Sequence, residues 1–263
     1  MKHIKFKYHG IQQLKEGSYQ SETDLIEVDG KQYRTNELTF DVPLSGTIYG
    51  TALNYKGAYA KVEPFMYEEP YKAPPKAPIL YIKPMNTHIG NGTFIPLPDG
   101  FEELSIGATL GVVIGKVARK VNKDNALDYV EGYTIVNDVS IPHESVYRPA
   151  YKEKARDGFC PIGPWIVNKH AITNPNELGV RVYINGELKQ ENNTSNLIRS
   201  VEQLLVDVTD FMTLYEGDTL LVGIPENAPI ARENDSVEVE IEGIGKLVNK
   251  VINENALVGG GIK

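Results

Sequence analysis

Residues 105–116 read SIGATLGVVIGK, and they constrain the fold more than any other stretch of the chain. If the run is a strand, side chains alternate between two faces: Ile106, Ala108, Leu110, Val112 and Ile114 line one, while Gly107, Thr109, Gly111 and Val113 line the other. The first face is a core wall. The second is nearly bare for three successive positions, and glycine inside a strand is weakening unless a ligand, a bend or another backbone approaches it closely. The chain therefore has to build a β-structure that covers both faces of this strand and brings something close to its bare side.

Enough chain is available for that. At 263 residues the sequence can bury a large core, read here as a single core with an N-terminal appendage. A hydrophobic share of 41% and a charged share of 24% are those of an ordinary globular protein, and no apolar run approaches the roughly 20 residues of a membrane span. The opening MKHIKFKYHG alternates basic and apolar residues, which predicts an edge strand and not a signal peptide. One cysteine, Cys160, excludes an internal disulfide and a multi-thiolate metal site, and it fits a reducing cytoplasm. A net charge of -8 without a basic cluster argues against nucleic acid, so a small-molecule ligand is expected. If that ligand is anionic, clustered Lys and Arg must overcome the global field.

Turn signals divide the chain. Residues 1–44 read as a small N-terminal β region with a hairpin at Asp29-Gly30, residues 45–258 as the main domain, and residues 259–263 as a tail. Glu63 to Pro78, EPFMYEEPYKAPPKAP, is proline-rich and aromatic, a loop or lid. ILYIKP, TLGVVIGKVARKV and YTIVNDVS read as strands, and RVYINGELKQ as a hairpin turning at Asn185-Gly186. Asn122 is expected to open a short helix that ends at Gly132. The clearest helix is expected to begin near Thr194 as N-cap, with Leu197, Ile198, Val201, Leu204, Leu205, Val208, Phe211 and Met212 at helical spacing. GDTLLVG and SVEVEIEGIGKLVNKVI restore β-structure, so the class is β-rich α+β.

Polar chemistry concentrates between Gly132 and Trp165. Asn137 and Asp138 fall at the end of a well-patterned strand, where loops bear functional groups on a rigid scaffold. His143, Glu144, Tyr147, Arg148, Lys152, Lys154, Arg156 and Asp157 follow within 20 residues. Such a mixture can bind a carboxylate through Arg and Lys, hold a cation through Asp or Glu, and move protons through Lys or His. The ordinary alternative is a solvated polar loop. No HExxH, phosphate loop, nucleophile elbow or EF-hand loop is present.

TALNYKGAY, YIKPMNT, LGVVIGKVARKV, DYVEGYTIVNDVS, KARDGFCPIGPW, VYINGELKQENNTS, YEGDTLLVGIP and VEVEIEGIGKLVN, in that order, resemble the fumarylacetoacetate hydrolase family over roughly Ser45 to Glu254. The resemblance implies a mixed β-sandwich or roll with a few short helices. Within the family, PYKAPPKAPILYIKPMNT and ESVYRPAYKEKARDGFCPIG resemble the decarboxylase/isomerase branch of homoprotocatechuate breakdown, either one half of a bifunctional chain or a separately encoded first subunit. That branch acts on 5-oxopent-3-ene-1,2,5-tricarboxylate and 2-hydroxyhepta-2,4-diene-1,7-dioate, both anionic 2-oxo or 2-hydroxy acids. The family chelates such substrates with Mg2+ or Mn2+, a Lewis acid that stabilises the enolate. Its metal aspartate is matched by Asp138, its lysine by Lys154 and the acid three residues on by Asp157, which makes Lys154 and Asp157 the catalytic candidates. Lys83, Tyr147, Arg148 and Thr194 are the candidates for contacting substrate. For Glu144, Tyr147 and Thr194 the plain alternatives are a solvated acid, a packed ring and a helix cap.

The sequence departs from the family where the opening stretch is bare. The acid-x-acid pair that completes the metal site falls on Gly107 and Thr109. Glu102 and Glu103 stand nearby in sequence but about 13 Å back along a strand, and reach the site only through a fold-back. The His and Glu of NYxxHxxE in the hydrolases are Ala58 and Lys61, so acylpyruvate hydrolysis loses its base; the arginine after the metal aspartate is Pro142 and the threonine of the GTP turn is Ile224. Two readings stay open: a decarboxylase/isomerase subunit, or a metal-deficient partner of a paralogue that carries the intact pair. Either implies a homodimer or a hetero-oligomer, in the cytoplasm, away from nucleic acid and membrane.

Overall fold

The computed structural model describes residues 1–69, 72–143 and 150–259. Its N-terminal part contributes β1 (Lys2–Tyr8), β2 (Lys15–Gln20), β3 (Leu25–Val28), β4 (Lys31–Arg34), β5 (Phe40–Asp41) and β6 (Ile48–Ala52), followed by helix α1 (Lys56–Val62). Next come β7 (Ile79–Lys83), β8 (His88–Ile89), β9 (Phe94–Leu97), β10 (Leu104–Ser105), β11 (Ala108–Ile114) and β12 (Val130–Asn137). The single-turn helix α2 (Tyr151–Lys154) precedes β13 (Cys160–Asn168), β14 (Gly179–Ile184) and β15 (Glu187–Asn193). Helix α3 (Val201–Phe211), β16 (Thr219–Leu221), β17 (Ile230–Ala231), β18 (Ser236–Ile241) and β19 (Gly245–Asn253) complete the fold, with a final turn of helix at Glu254–Gly259.

The strands form a β-rich architecture of two main sheets with few short helices. Twelve strands make the larger sheet, along the path β4-β3-β2-β1-β13-β12-β11-β16-β6-β7, with β5 beside β1 and β8 beside β13. Five make the smaller, β15-β14-β18-β19-β9. The first strand, expected at an edge, lies inside the large sheet: β1 pairs with β2 on one side and β13 on the other, and β4 holds the edge. Its buried Ile4 and Phe6 explain the placement, since they pack into the main core with Phe40 and Trp165.

The sheets sandwich one large core. Leu110 and Val112 of β11, Tyr133 and Ile135 of β12, Val180 and Val182 of β14, and Val237 and Val239 of β18 are all buried in it. Helix α3 adds Val201, Leu204, Leu205 and Val208 from one stripe. A second core lies on the opposite face of the large sheet, made of Leu44, Ile48, Val113, Val136, Cys160, Ile162, Ile166 and Leu221.

That second core shows that the large sheet is rolled. Along the hydrogen-bonded path β7 is four strands from β12, about 19 Å in a flat sheet. Yet Tyr81 and Lys83 of β7 touch Asp138, the residue after β12. The sheet therefore curls over the face that carries Thr109, Gly111 and Val113, and every residue of β11 is buried.

Two helical expectations are corrected. The segment after Asn122 is a 3-10 helix, Lys123–Tyr129, and Val130 to Asn137, including Gly132, is strand, because β12 pairs with β11 and β13 along its length. Helix α3 begins at Val201 with Ser200 as its cap, not near Thr194. Leu197 is extended, and the backbone N–H groups of Ile198 and Arg199 are drawn to Asn54, so the chain cannot enter the helix before Ser200. Both predicted hairpin turns are present, with Asp29, Gly30, Asn185 and Gly186 all at positive φ.

Candidate functional site

What covers the bare side of β11 is protein. Thr134, Val136 and Thr219 turn methyl groups onto Gly111, and a Cβ there would lie 2.9 Å from the Thr134 methyl. At Gly107 a Cβ would overlap the carbonyl of Asp138 and stand 2.7 Å from Cδ1 of Ile224. Gly107 donates its N–H to Oδ1 of Asn137 at 3.0 Å and accepts the N–H of Asp138 at 2.8 Å. The missing side chain is what lets the end of β12 come this close. Thr109 is fully buried, and its hydroxyl has no hydrogen-bond partner among the described residues.

Register places Asp138 at this same end. Ala108 pairs with Asn137, so Asp138 follows opposite Gly107, with its carboxylate completely buried. Three side chains converge on it. Lys83 Nζ lies 2.9 Å from Oδ1, an ion pair without an aligned hydrogen bond, and Lys154 Nζ lies 3.0 Å from Oδ2. The Tyr81 hydroxyl donates to the same Oδ2. Burial alone would raise the Asp138 pKa, but the neighbouring Lys154 and Lys83 charges and the Tyr81 hydrogen bond outweigh it and hold the carboxyl well below the usual range. Burial, and then Asp138 beside it, push the Tyr81 phenol well above its ordinary value, so it stays a donor.

The two lysines are not equivalent. Lys83 is fully buried: its ammonium forms the ion pair with Asp138 and donates to the Lys154 carbonyl at 2.7 Å and the Val139 carbonyl at 3.4 Å. It fastens the end of α2 to the end of β12. The Lys154 ammonium has only Asp138 as a hydrogen-bond partner among the described residues, its side chain is 19% exposed, and it stands 5.3 Å from the Tyr81 ring centre.

Tyr81 escaped the sequence reading. Its signal was Gly50, its cross-strand partner: the tyrosine ring lies where a Gly50 side chain would stand, and any Cβ there would overlap it. Strand alternation puts Tyr81 on the same face as Lys83, but only the roll of the sheet brings both to Asp138.

The other candidates lie elsewhere. Asp157 is exposed and accepts from Nδ2 of Asn86 at 2.7 Å. The buried Thr194 hydroxyl donates to the Pro175 carbonyl and accepts from Leu178, which satisfies it within the fold. Glu103 pairs with Arg232, and so does not fold back toward Asp138. In α1, Ala58 packs on the core and Lys61 bonds Asn227. Glu144, Tyr147 and Arg148 lie outside the described residues.

A divalent ion was tested against these donors and does not fit. Among the described residues no group of three or more His, Cys, Asp or Glu converges. Among the described residues Asp138 is the single carboxylate there, both its oxygens face ammonium groups, and a dication at the same place would meet two positive charges at close range. Gly107 supplies no ligand and Thr109 only a neutral hydroxyl.

The fold is that of a known group. The family model for the fumarylacetoacetate (FAA) hydrolase C-terminal domain matches residues 47–252, and the chain belongs to the fumarylacetoacetate hydrolase family. It is 43% identical over 211 residues to the 4-hydroxyphenylacetate degradation bifunctional isomerase/decarboxylase of Escherichia coli, covering 80% of this chain and 48% of that protein. The chain thus spans about half the length of the curated relatives it matches. Among solved structures it is similar to the 2-hydroxyhepta-2,4-diene-1,7-dioate isomerase of Mycobacterium marinum, with TM-score 0.75, 25% identity and coverage of 97% of this chain and 99% of that one. A maleylpyruvate hydrolase of Sphingobium sp. SYK-6, solved with manganese (II) and pyruvate, shares the fold at TM-score 0.75 and 20% identity, over 95% and 99% of the two chains. No helix among the described residues is long and apolar enough to cross a membrane.

Proposed function

We propose that this chain is a subunit of a decarboxylase/isomerase that acts on 5-oxopent-3-ene-1,2,5-tricarboxylate and 2-hydroxyhepta-2,4-diene-1,7-dioate, and that the activity belongs to an assembly with a paralogous chain bearing the acid-x-acid metal pair. The observation that carries this reading is the 43% identity to half of a bifunctional isomerase/decarboxylase, in a chain whose own Asp138 is enclosed by lysines. When the paralogue holds its divalent ion, that ion supplies Lewis-acid chemistry there. In this chain Lys154 offers its remaining N–H donors to the oxygen that becomes negative as CO2 leaves or a proton shifts, and Asp138 and Tyr81 hold its ammonium in place. Hydrolysis is disfavoured by Ala58 and Lys61 at the positions of the hydrolase base.

The test is turnover of each substrate by this chain alone, by the paralogue alone and by both. Both steps are expected at full rate only in the mixture, and Lys154→Ala in this chain is expected to lower the mixture's kcat at least tenfold. No turnover of either substrate in any arm, or a paralogue as active alone as in the mixture, overturns the assignment.

A further inference from the structure

The Asp138 cluster is not electrically balanced. Among the described residues, one carboxylate stands between two ammonium groups, and the other nearby groups, the Tyr81 phenol and the Cys160 thiol, are neutral. One positive charge is left over beside a fully buried carboxylate, and a poorly solvated charge is costly unless it is paired. Lys83 cannot be the group that seeks a partner, since its three donors already face Asp138, Val139 and Lys154. Lys154 can: it is the partly exposed member, and its ammonium has Asp138 as its only hydrogen-bond partner among the described residues.

We infer that the lysine pair has taken the place of the family's divalent ion, and that the Lys154 face of this cluster is a metal-independent site for the carboxylate of a small 2-oxo acid. Lys83 is a positioning residue, Asp138 orients both ammonium groups, and Lys154 makes the ionic contact. A compact ammonium with free donors suits a carboxylate oxygen. The inference rests on the proposed function only for the choice of a 2-oxo acid as ligand.

The experiment uses the isolated full chain and oxalate as the probe, titrated by calorimetry in EDTA and again in millimolar Mg2+. Binding is expected in EDTA, with Kd, referred to the oxalate not complexed by Mg2+ in solution, changed less than about twofold by Mg2+. Lys154→Met is expected to weaken it at least tenfold and Lys154→Arg to restore most of it. Asp138→Asn separates the accounts further: a metal site would lose its last acidic ligand and its binding, whereas the lysine site keeps oxalate or binds it more tightly. If Asp138→Asn does not fold, the comparison of EDTA with Mg2+ on the unmodified chain decides alone. Chloride and phosphate at the same ionic strength are expected to compete weakly; equal competition shows a general anion site and overturns the carboxylate assignment. Binding that requires Mg2+, or that survives Lys154→Met unchanged, overturns the inference. No turnover is read, so its failure leaves the pathway assignment standing, and loss of that assignment leaves the binding result intact.

Discussion

Lys83 and Lys154 carry the same charge on the same carboxylate and do different work. Removing Lys83 leaves Asp138 short of a buried partner and strands two carbonyls, so Lys83→Met is expected to cost on the order of 3–5 kcal/mol, read as a lower urea midpoint at unchanged slope. Lys154→Met is expected to cost less, about 1–2 kcal/mol, because this ammonium is partly exposed and Asp138 keeps Lys83 and Tyr81 when it is removed. A larger loss for Lys154 than for Lys83 would contradict the division of roles. This division was not legible in the sequence, which offered Lys83 as a substrate contact and Lys154, through the family resemblance, as a catalytic candidate; burial and acceptor count separate them on other grounds. Thr194 shows the same limit, since a hydroxyl that closes two backbone bonds looks in sequence like one that faces a ligand. Asp138 was legible, because the end of a regular strand with polar residues after it is visible in the pattern.

At the scale of elements, the site depends on β6 and β7 lying close enough for Tyr81 to rest on Gly50. Gly50→Ala puts a methyl into that ring, and an overpacking cost of about 1–3 kcal/mol is expected, with Tyr81 displaced from Asp138. Tyr81→Phe keeps the ring and removes only the hydroxyl. Its expected cost is about 1–2 kcal/mol, and a Gly50→Ala, Tyr81→Phe double variant is expected to lose less than the sum, since both break one contact. Strict additivity in thermal melts would show that the two residues are uncoupled. Helix α3 makes a separate test: Ser200→Ala should cost about 1 kcal/mol through its cap on Gln203, while Thr194 lies outside the helix. Periodicity found the buried stripe of α3 but extended it back to Leu197, because apolar spacing cannot show that Asn54 draws residues 198 and 199 out of the helical path. The hairpins at Asp29-Gly30 and Asn185-Gly186 were readable because turn chemistry is local.

The whole molecule is a rolled sheet closed over a charged cluster, and its response to pH follows from that. Asp138 is held below the ordinary carboxylate range, so its contribution to stability is complete above the unfolded value of about 3.9 and fades as pH falls below it. The difference in urea midpoint between the parent chain and Asp138→Asn is therefore expected to be constant from pH 7 to 5 and to shrink toward pH 3. Cys160 behaves in the opposite sense. Burial pushes its thiol up to about 12, so it opposes unfolding below about pH 8.5 and loses that contribution as pH rises beyond it. Native Cys160 is expected to react with a thiol reagent at pH 8 at least 100-fold more slowly than in the unfolded chain. The β-rich class and the family were legible from ordered local segments, whereas the curl of the sheet was not: it is a non-local result of how β7 meets β12, and it alone brings Tyr81 and Lys83 to Asp138. The most direct test of that cluster is an anomalous difference map from crystals of this chain soaked in millimolar Mn2+. No manganese peak is expected within bonding distance of Asp138, and both lysine ammonium groups are expected on its carboxylate; a fully occupied peak about 2.2 Å from an Asp138 oxygen, with Lys83 or Lys154 turned away, would show that the site holds a metal after all.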